Sequence, residues 1–163
     1  MSKQESVANI LKKIEEHWPE SFENYSPAIL RMHRIHDYLQ QNLAQVIEKY
    51  DLQRADFSVL ATLRRGGEPY CLSPTELYCS MLFSSGGLTK VLGRITKAGL
   101  VERIDNPEDK RSKLVQLTES GKSLIDKIIQ ELHNSEQKKM AVLSGQEQDQ
   151  LNTLMEKFLS AWE

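Results

Sequence analysis

The apolar positions of this chain fall at helical spacing along most of its length. Val7, Ile10, Leu11 and Ile14 line one side of a segment from Ser2 to His17, which predicts a short amphipathic helix. Pro19 ends it, because the residue before a proline is pushed out of the helical region. Ser21 to Ser26 reads as a linker. Ser26-Pro27 then supplies an N-cap followed by a proline at the first helical position, where no partner for an N–H exists. The helix after it is predicted to run to about Tyr50, with Ile35, Leu39, Leu43, Val46 and Ile47 on one face. A third covers Arg54 to Arg65, with Phe57, Leu60, Ala61 and Leu63 inward, and Gly66-Gly67 stops it.

Ser73-Pro74-Thr75-Glu76 is a helix start with reciprocal capping: the Ser73 hydroxyl can accept from the third helical amide, and Glu76 can reach back to the Ser73 amide. This helix is short and ends near Ser80 to Leu82. Another begins at Ser84 or Ser85 and runs to Ala98, with Leu88, Val91, Leu92 and Ile95 on its buried face and Gly99 as its left-handed stop. The period then changes. Leu100 to Ile104 and Lys113 to Leu117 read as two short strands joined by turn-forming Asp105 to Asp109 and a polar tip, Lys110-Arg111-Ser112. Thr118 caps a long helix carrying Leu124, Ile125, Ile128, Ile129 and Leu132 on one side. Ser144 to Glu147 repeats the capping box ahead of a last helix with Leu151, Leu154, Met155, Phe158, Leu159 and Trp162 in one stripe. The fold class expected is mainly α with a small β-hairpin.

A short helix, a tight turn, a second helix and a hairpin make a winged helix-turn-helix, whose second helix enters the major groove of DNA. In the second helix Ser84, Ser85, Gly86, Thr89, Lys90, Gly93, Arg94 and Lys97 remain for the outside, and hydroxyls and long cations address base edges and phosphates. The formal charge of −2 over 163 residues argues against nucleic acid only as an average. Between Lys90 and Lys113 the basic residues Lys90, Arg94, Lys97, Arg103, Lys110, Arg111 and Lys113 outnumber Glu102, Asp105, Glu108 and Asp109. Mixed charge of this kind also occurs on ordinary solvated faces, and its position beside the helix-turn-helix order is what gives it meaning.

Other chemistries find little support. Cys71 and Cys79 have no metal-ligand spacing, His33 and His36 form only a lone helical pair, and Glu20 with Glu23 makes no convincing acid–base pair. No glycine-rich phosphate loop is present. The chain is therefore expected to be a binding protein without cofactor rather than an enzyme. No apolar run approaches the roughly 18 residues of a membrane span, and Met1 to Lys13 lacks the continuous apolar stretch of an export signal. The cytoplasm is the expected compartment, with no membrane partner.

The segment Asp105-Asn106-Pro107-Glu108-Asp109-Lys110-Arg111-Ser112, continued by Leu114-Val115-Gln116-Leu117-Thr118-Glu119-Ser120-Gly121, resembles the wing signature of MarR-type regulators: an Asp, any residue, an Arg, a small residue, then a strand closing on Leu-Thr-x-x-Gly. Lys97 to Val101 also fits the end of that family's recognition helix. The resemblance spans residues 26 to 162. It implies a homodimeric regulator of transcription on double-stranded DNA, a repressor relieved by a small aromatic effector. Arg111 is implied to enter the minor groove with Asp109 orienting it, and Ser73 and Thr75 join the residues of the second helix at the DNA. The expected layout is an extra helix and linker over residues 1–25 and a winged domain over 26–163. Within the latter the helix-turn-helix covers about 73–98, the wing about 100–118, and dimerisation helices about 27–50 and 119–162.

Leu60 to Arg65, Pro69 to Pro74 and Ser84 to Thr89 are similar to the urate-responsive, PecS-like branch of this family. Two positions depart from it: Ile14 stands where the branch has a Trp, and Ser58 where it has an Asp. Urate is therefore expected to bind poorly, with Trp18, Arg31 and Ser58 as neighbours of some other effector. The second reading of the whole chain is a dimeric winged-helix module that binds protein and has no operator of its own.

Overall fold

Side-chain caps decide where most of the helices begin. The computed structural model describes residues 4–81, 87–109 and 111–163. The Ser6 hydroxyl accepts the Asn9 amide at 3.1 Å and opens α1 (Val7–His17). The helix thus starts at its first apolar position rather than at Ser2. Pro19 opens a single further turn, α2 (Pro19–Phe22), which runs into the first two residues of the Ser21 to Ser26 stretch expected to be linker. Next comes α3 (Pro27–Glu48), which stops short of Tyr50 because the Leu52 amide turns back to the Ile47 carbonyl and Asp51 takes φ +55°. After it stand α4 (Arg54–Arg65), strand β1 (Cys71–Leu72), α5 (Pro74–Ser80) and α6 (Leu88–Lys97). The chain closes with β2 (Val101–Asp105), β3 (Lys113–Leu117), α7 (Glu119–Met140) and α8 (Gly145–Leu159).

The chain divides into two compact units, Met1–Gln45 and Val46–Glu163. In the first, Leu11 is buried, Arg34 donates to the Glu5 carbonyl at 2.8 Å, and Lys13 pairs with the Glu5 carboxylate at 2.7 Å. The second holds the larger core. Val59, Leu60 and Leu63 of α4 meet Leu77 of α5, Val91, Leu92 and Ile95 of α6, Val101 and Val115 of the sheet, and Ile125 of α7. Each is at most 4 % exposed, so the helix-turn-helix is held by apolar burial from four directions.

The sheet has three antiparallel strands in the order β1-β3-β2, with Arg103 opposite Val115 and Leu72 opposite the same Val115 from the other side. The hairpin was expected; β1 was not, because two residues carry no alternation to read. Thr118 caps α7 by accepting the Gly121 amide at 3.0 Å, while its own hydroxyl donates to the Gly99 carbonyl at 2.7 Å. Gly121 packs so closely on the wing that a Cβ there would lie 2.0 Å from the Leu100 carbonyl oxygen.

On α7, Ile125 and Ile128 are fully buried and Leu132 nearly so, packed within their own chain. The α8 stripe is different. No residue of α8 is buried, and Leu154 is 65 % and Trp162 69 % exposed. Phe158 and Trp162 stack edge to face at 4.8 Å on this open side.

Candidate nucleic-acid interface

The start of α5 has the reciprocal cap expected of it: the Ser73 amide donates to Glu76 at 2.8 Å and the Glu76 amide to the Ser73 hydroxyl at 3.2 Å. The interactions of the Ser73 side chain and amide with the Glu76 carboxylate hold that carboxyl below its ordinary range. Leu77 anchors the helix in the core and leaves Thr75 and Tyr78 exposed. Gly87, at φ +89°, turns the chain into α6, a conformation that costs other residues about 1 kcal/mol or more. On α6 Val91, Leu92 and Ile95 are buried, and Thr89, Lys90, Gly93 and Lys97 face outward together. Ser84, Ser85 and Gly86 lie outside the described residues, as does Lys110.

Arg94 is not a free cation on this face. Its Nε donates to both carboxylate oxygens of Asp56 at 3.0 Å, and Nη2 donates to Oδ1 at 2.7 Å. Asp56 is only 1 % exposed and also accepts the Gln53 amide at 2.9 Å, which caps α4. The carboxylate hydrogen bonds hold the Arg94 guanidinium above its usual value. Arg94 therefore straps α6 to the start of α4. The sequence carried a signal for this: Asp56 shares a helical face with Val59, Leu60 and Leu63, and a carboxylate on an apolar face requires a cationic partner. Arg94→Ala leaves that carboxylate with one amide partner and is expected to cost about 2–3 kcal/mol, toward the low side for a broken pair because the guanidinium is partly solvated. Urea denaturation should show it, and an unchanged midpoint would mean the strap carries no weight.

The wing tip is built from side chains that bond to the backbone. Asn106 accepts the Glu108 amide at 3.0 Å and donates to the Ser112 hydroxyl at 2.9 Å. Asp109 accepts the Arg111 amide at 2.9 Å, and its own carbonyl takes the Ser112 amide at 3.0 Å. Asp109 thus fixes the main chain under Arg111. Among the described residues the Arg111 side chain has no ion-pair partner and is exposed, whereas Lys113 is paired with Asp105.

A cavity of about 410 Å³ opens between α4 and α7. Phe57, Ala61, Ile125 and Ile129 give it an apolar floor, and Ser58, Arg64, Arg65, Asp126 and His133 stand around it. Arg64 donates to Asp126 at 2.8 and 3.3 Å and lies 5.1 Å from the Tyr70 ring. Arg65 donates to the Ser80 carbonyl at the end of α5. Of the residues expected near an effector, Ser58 lines this cavity; Trp18, 63 % exposed, and Arg31 belong to the other unit. Among the described residues no cluster of His, Cys, Asp or Glu could hold a metal ion, and no helix is long and apolar enough to cross a membrane.

A capped short helix, a second helix with a polar outer face, and a β-hairpin with a cationic tip define a winged helix-turn-helix DNA-binding protein. The MarR family model matches residues 50–112. The transcriptional regulator PecS of Dickeya dadantii is 33 % identical over 122 residues, 75 % of this chain and 74 % of that one. The transcriptional repressor MprA of Escherichia coli K12 is 29 % identical over 75 % of this chain and 69 % of its own length. Escherichia coli MarR carrying C80S, solved with operator DNA, superposes with a TM-score of 0.67 and 30 % identity over 85 % of this chain and 97 % of that one. The chain belongs to the MarR family and is a DNA-binding transcriptional regulator; the reading as a protein-interaction module is not favoured.

Proposed function

We propose that the protein acts as a homodimeric repressor in the cytoplasm, holding a pseudo-palindromic operator until a small aromatic molecule releases it. The observation that carries this reading is the outward set Thr89, Lys90 and Lys97 on α6 together with an exposed Arg111 at the tip of the hairpin, the two elements sharing one core. In it α6 lies in the major groove, with Thr89 and Lys90 toward base edges and Lys97 toward phosphate. Ser73 and Thr75 approach the backbone at the start of α5, and Ser84, Ser85 and Gly86 belong to the same surface. Arg111 enters the minor groove, whose narrow form concentrates negative potential. Arg94 takes part by holding α6 in place. The terminal helices, 27–50 and 119–162, supply the dimer contacts, with the α8 stripe as their apolar centre. Two-fold symmetry places half-sites roughly 10 base pairs apart, or a multiple of that.

The α4–α7 cavity is the effector site in this reading, because its lining joins the apolar Phe57, Ala61, Ile125 and Ile129 to the cations Arg64 and Arg65. The relatives are regulators, and no group in the site calls for catalysis. The test is a set of binding isotherms for selected operator and scrambled duplexes at several salt concentrations. Arg111→Ala should weaken both by a similar factor, about tenfold, and lower the slope of log affinity against log salt by about one. Changes at Thr89 or Lys90 should relax preference at one or two positions, worth about 1–3 kcal/mol each. An Arg111→Ala protein with unaltered affinity and slope on both duplexes would remove the wing from the interface.

A further inference from the structure

Glycine is costly inside a helix, and the other glycines among the described residues answer to something in the protein. Gly67, Gly87 and Gly99 take positive φ, Gly66 closes α4, Gly121 meets the Leu100 carbonyl, and Gly145 is only the first residue of α8. Gly93 answers to none of these. It lies in the middle of α6 with no left-handed φ, it is exposed, and among the described residues a Cβ there would meet nothing within 4 Å. Alanine would favour the helix at that position, so the missing side chain serves nothing in the described part of the protomer. Residues three and four positions away are its neighbours on the same helical face. For Gly93 these are Thr89, Lys90, Thr96 and Lys97, all exposed. Arg94, the next residue, is committed to Asp56. The outer face of α6 therefore carries a notch with a hydroxyl and an ammonium group on either side along the helix.

We propose that Gly93 is the point of closest approach between α6 and the operator, and that a thymine 5-methyl group fills the space its side chain leaves. This rests on the reading of α6 as the helix in the major groove. The chemistry of the notch selects its occupant. A mid-helix amide is already used within the helix, so the floor offers Cα–H surface and no donor. A phosphate oxygen or a base carbonyl set there would lose water and gain no partner. Of the groups that base pairs present in the major groove, the thymine methyl is the one that gains from an apolar contact. Gly93 is then a specificity-determining residue that makes no hydrogen bond and carries no charge. Its contribution is depth: the backbone of α6 lies nearer the base edges than any side chain at 93 would allow, and Thr89 and Lys90 reach bases from there.

The experiment selects an operator from random duplexes with the full chain, then measures Gly93→Ala, Thr89→Ala and Lys90→Ala against the unchanged protein by fluorescence anisotropy at several salt concentrations. The duplexes are the operator, a scrambled sequence, and a series in which each thymine in turn, once per half-site, is replaced by uracil. Uracil keeps the pairing and lacks the methyl. Gly93→Ala should raise the thermal midpoint by about 1–4 °C. It should nevertheless weaken operator binding about tenfold or more. Scrambled-duplex affinity should stay within about twofold and the salt slope should not change, because no cation is lost. Uracil at one position per half-site should return most of the lost affinity to Gly93→Ala while weakening the unchanged protein. Full operator affinity in Gly93→Ala, with losses in Thr89→Ala or Lys90→Ala, overturns the proposal and leaves α6 in the groove. A loss in Gly93→Ala that uracil relieves at no position overturns the methyl contact and the proposal with it. A lowered thermal midpoint would mean that glycine serves the fold at 93, which also overturns it. Full affinity in all three variants removes α6 from the interface, and the proposal falls with that reading.

Discussion

Gly121→Ala lowers the stability of the protein by roughly 3 kcal/mol, and its thermal midpoint by roughly 6–12 °C. Helix propensity alone predicts the opposite sign, since alanine in a helix is favoured over glycine by about 1 kcal/mol. The packing decides. A Cβ at 121 would lie 2.0 Å from the Leu100 carbonyl oxygen and 2.9 Å from both its carbon and the Leu117 Cδ1. The Leu100 carbonyl is backbone and already accepts the Thr118 amide, so it cannot swing aside as a side chain would. Relief requires moving the first turn of α7 off the wing, which breaks the Thr118 cap as well. Gly93→Ala on α6 is the control: nothing lies within 4 Å of its would-be Cβ, and it should stabilise by about 0.5–1 kcal/mol. Calorimetry on both variants checks the pair, and two shifts of the same sign would mean the close approach at Leu100 is not what glycine serves at 121.

Leu154→Glu with Phe158→Glu should convert the protein to a monomer at micromolar concentration and lower operator affinity about 100-fold, the advantage that linking two half-site readers supplies. Both residues lie on the uncovered side of α8, so each chain keeps its own core and its circular dichroism. In a two-fold interface each substitution occurs twice, once on each side, which places four carboxylates in apolar surroundings. The DNA effect arises although neither side chain touches DNA, because in a dimer the second half-site is bound intramolecularly, and a monomer forgoes that step. Light scattering measures the first outcome and anisotropy the second. A dimer that survives both glutamates would place its interface elsewhere.

What was legible in the sequence had local causes. The caps at Ser73, Thr118 and Ser144 are three- or four-residue patterns, and the helices they open begin where those patterns put them. The bounds of α4 follow from its apolar period and the glycines after it. What escaped was pairing across the chain. Asp56 and Arg94 are 38 residues apart, and an outward position on α6 says nothing about a carboxylate waiting at its flank. Tyr70 gathers Arg64 and Lys122 from two helices, a cluster no spacing announces. The stripe on α7 looked like that on α8, since periodicity identifies a face that will be covered and not what covers it. The Asp109 carboxylate accepts the Arg111 amide of the main chain, a contact that the residue type alone does not announce.

Strand β1 is two residues long, yet it makes the two reading elements of a protomer inseparable. It pairs with β3 through Cys71 and Leu72, and the next residue caps α5. A shift of the wing pulls on that cap, and a tilt of α5 pulls on the sheet. In the proposed reading the protomer therefore addresses DNA as a key with two teeth cut at a fixed phase. Sequence changes in one groove cannot be accommodated by sliding the other element to suit. In the proposed reading, variation falls on the gap between two keys, so operators with intact half-sites and altered centres are the ones that distinguish a bound effector from none.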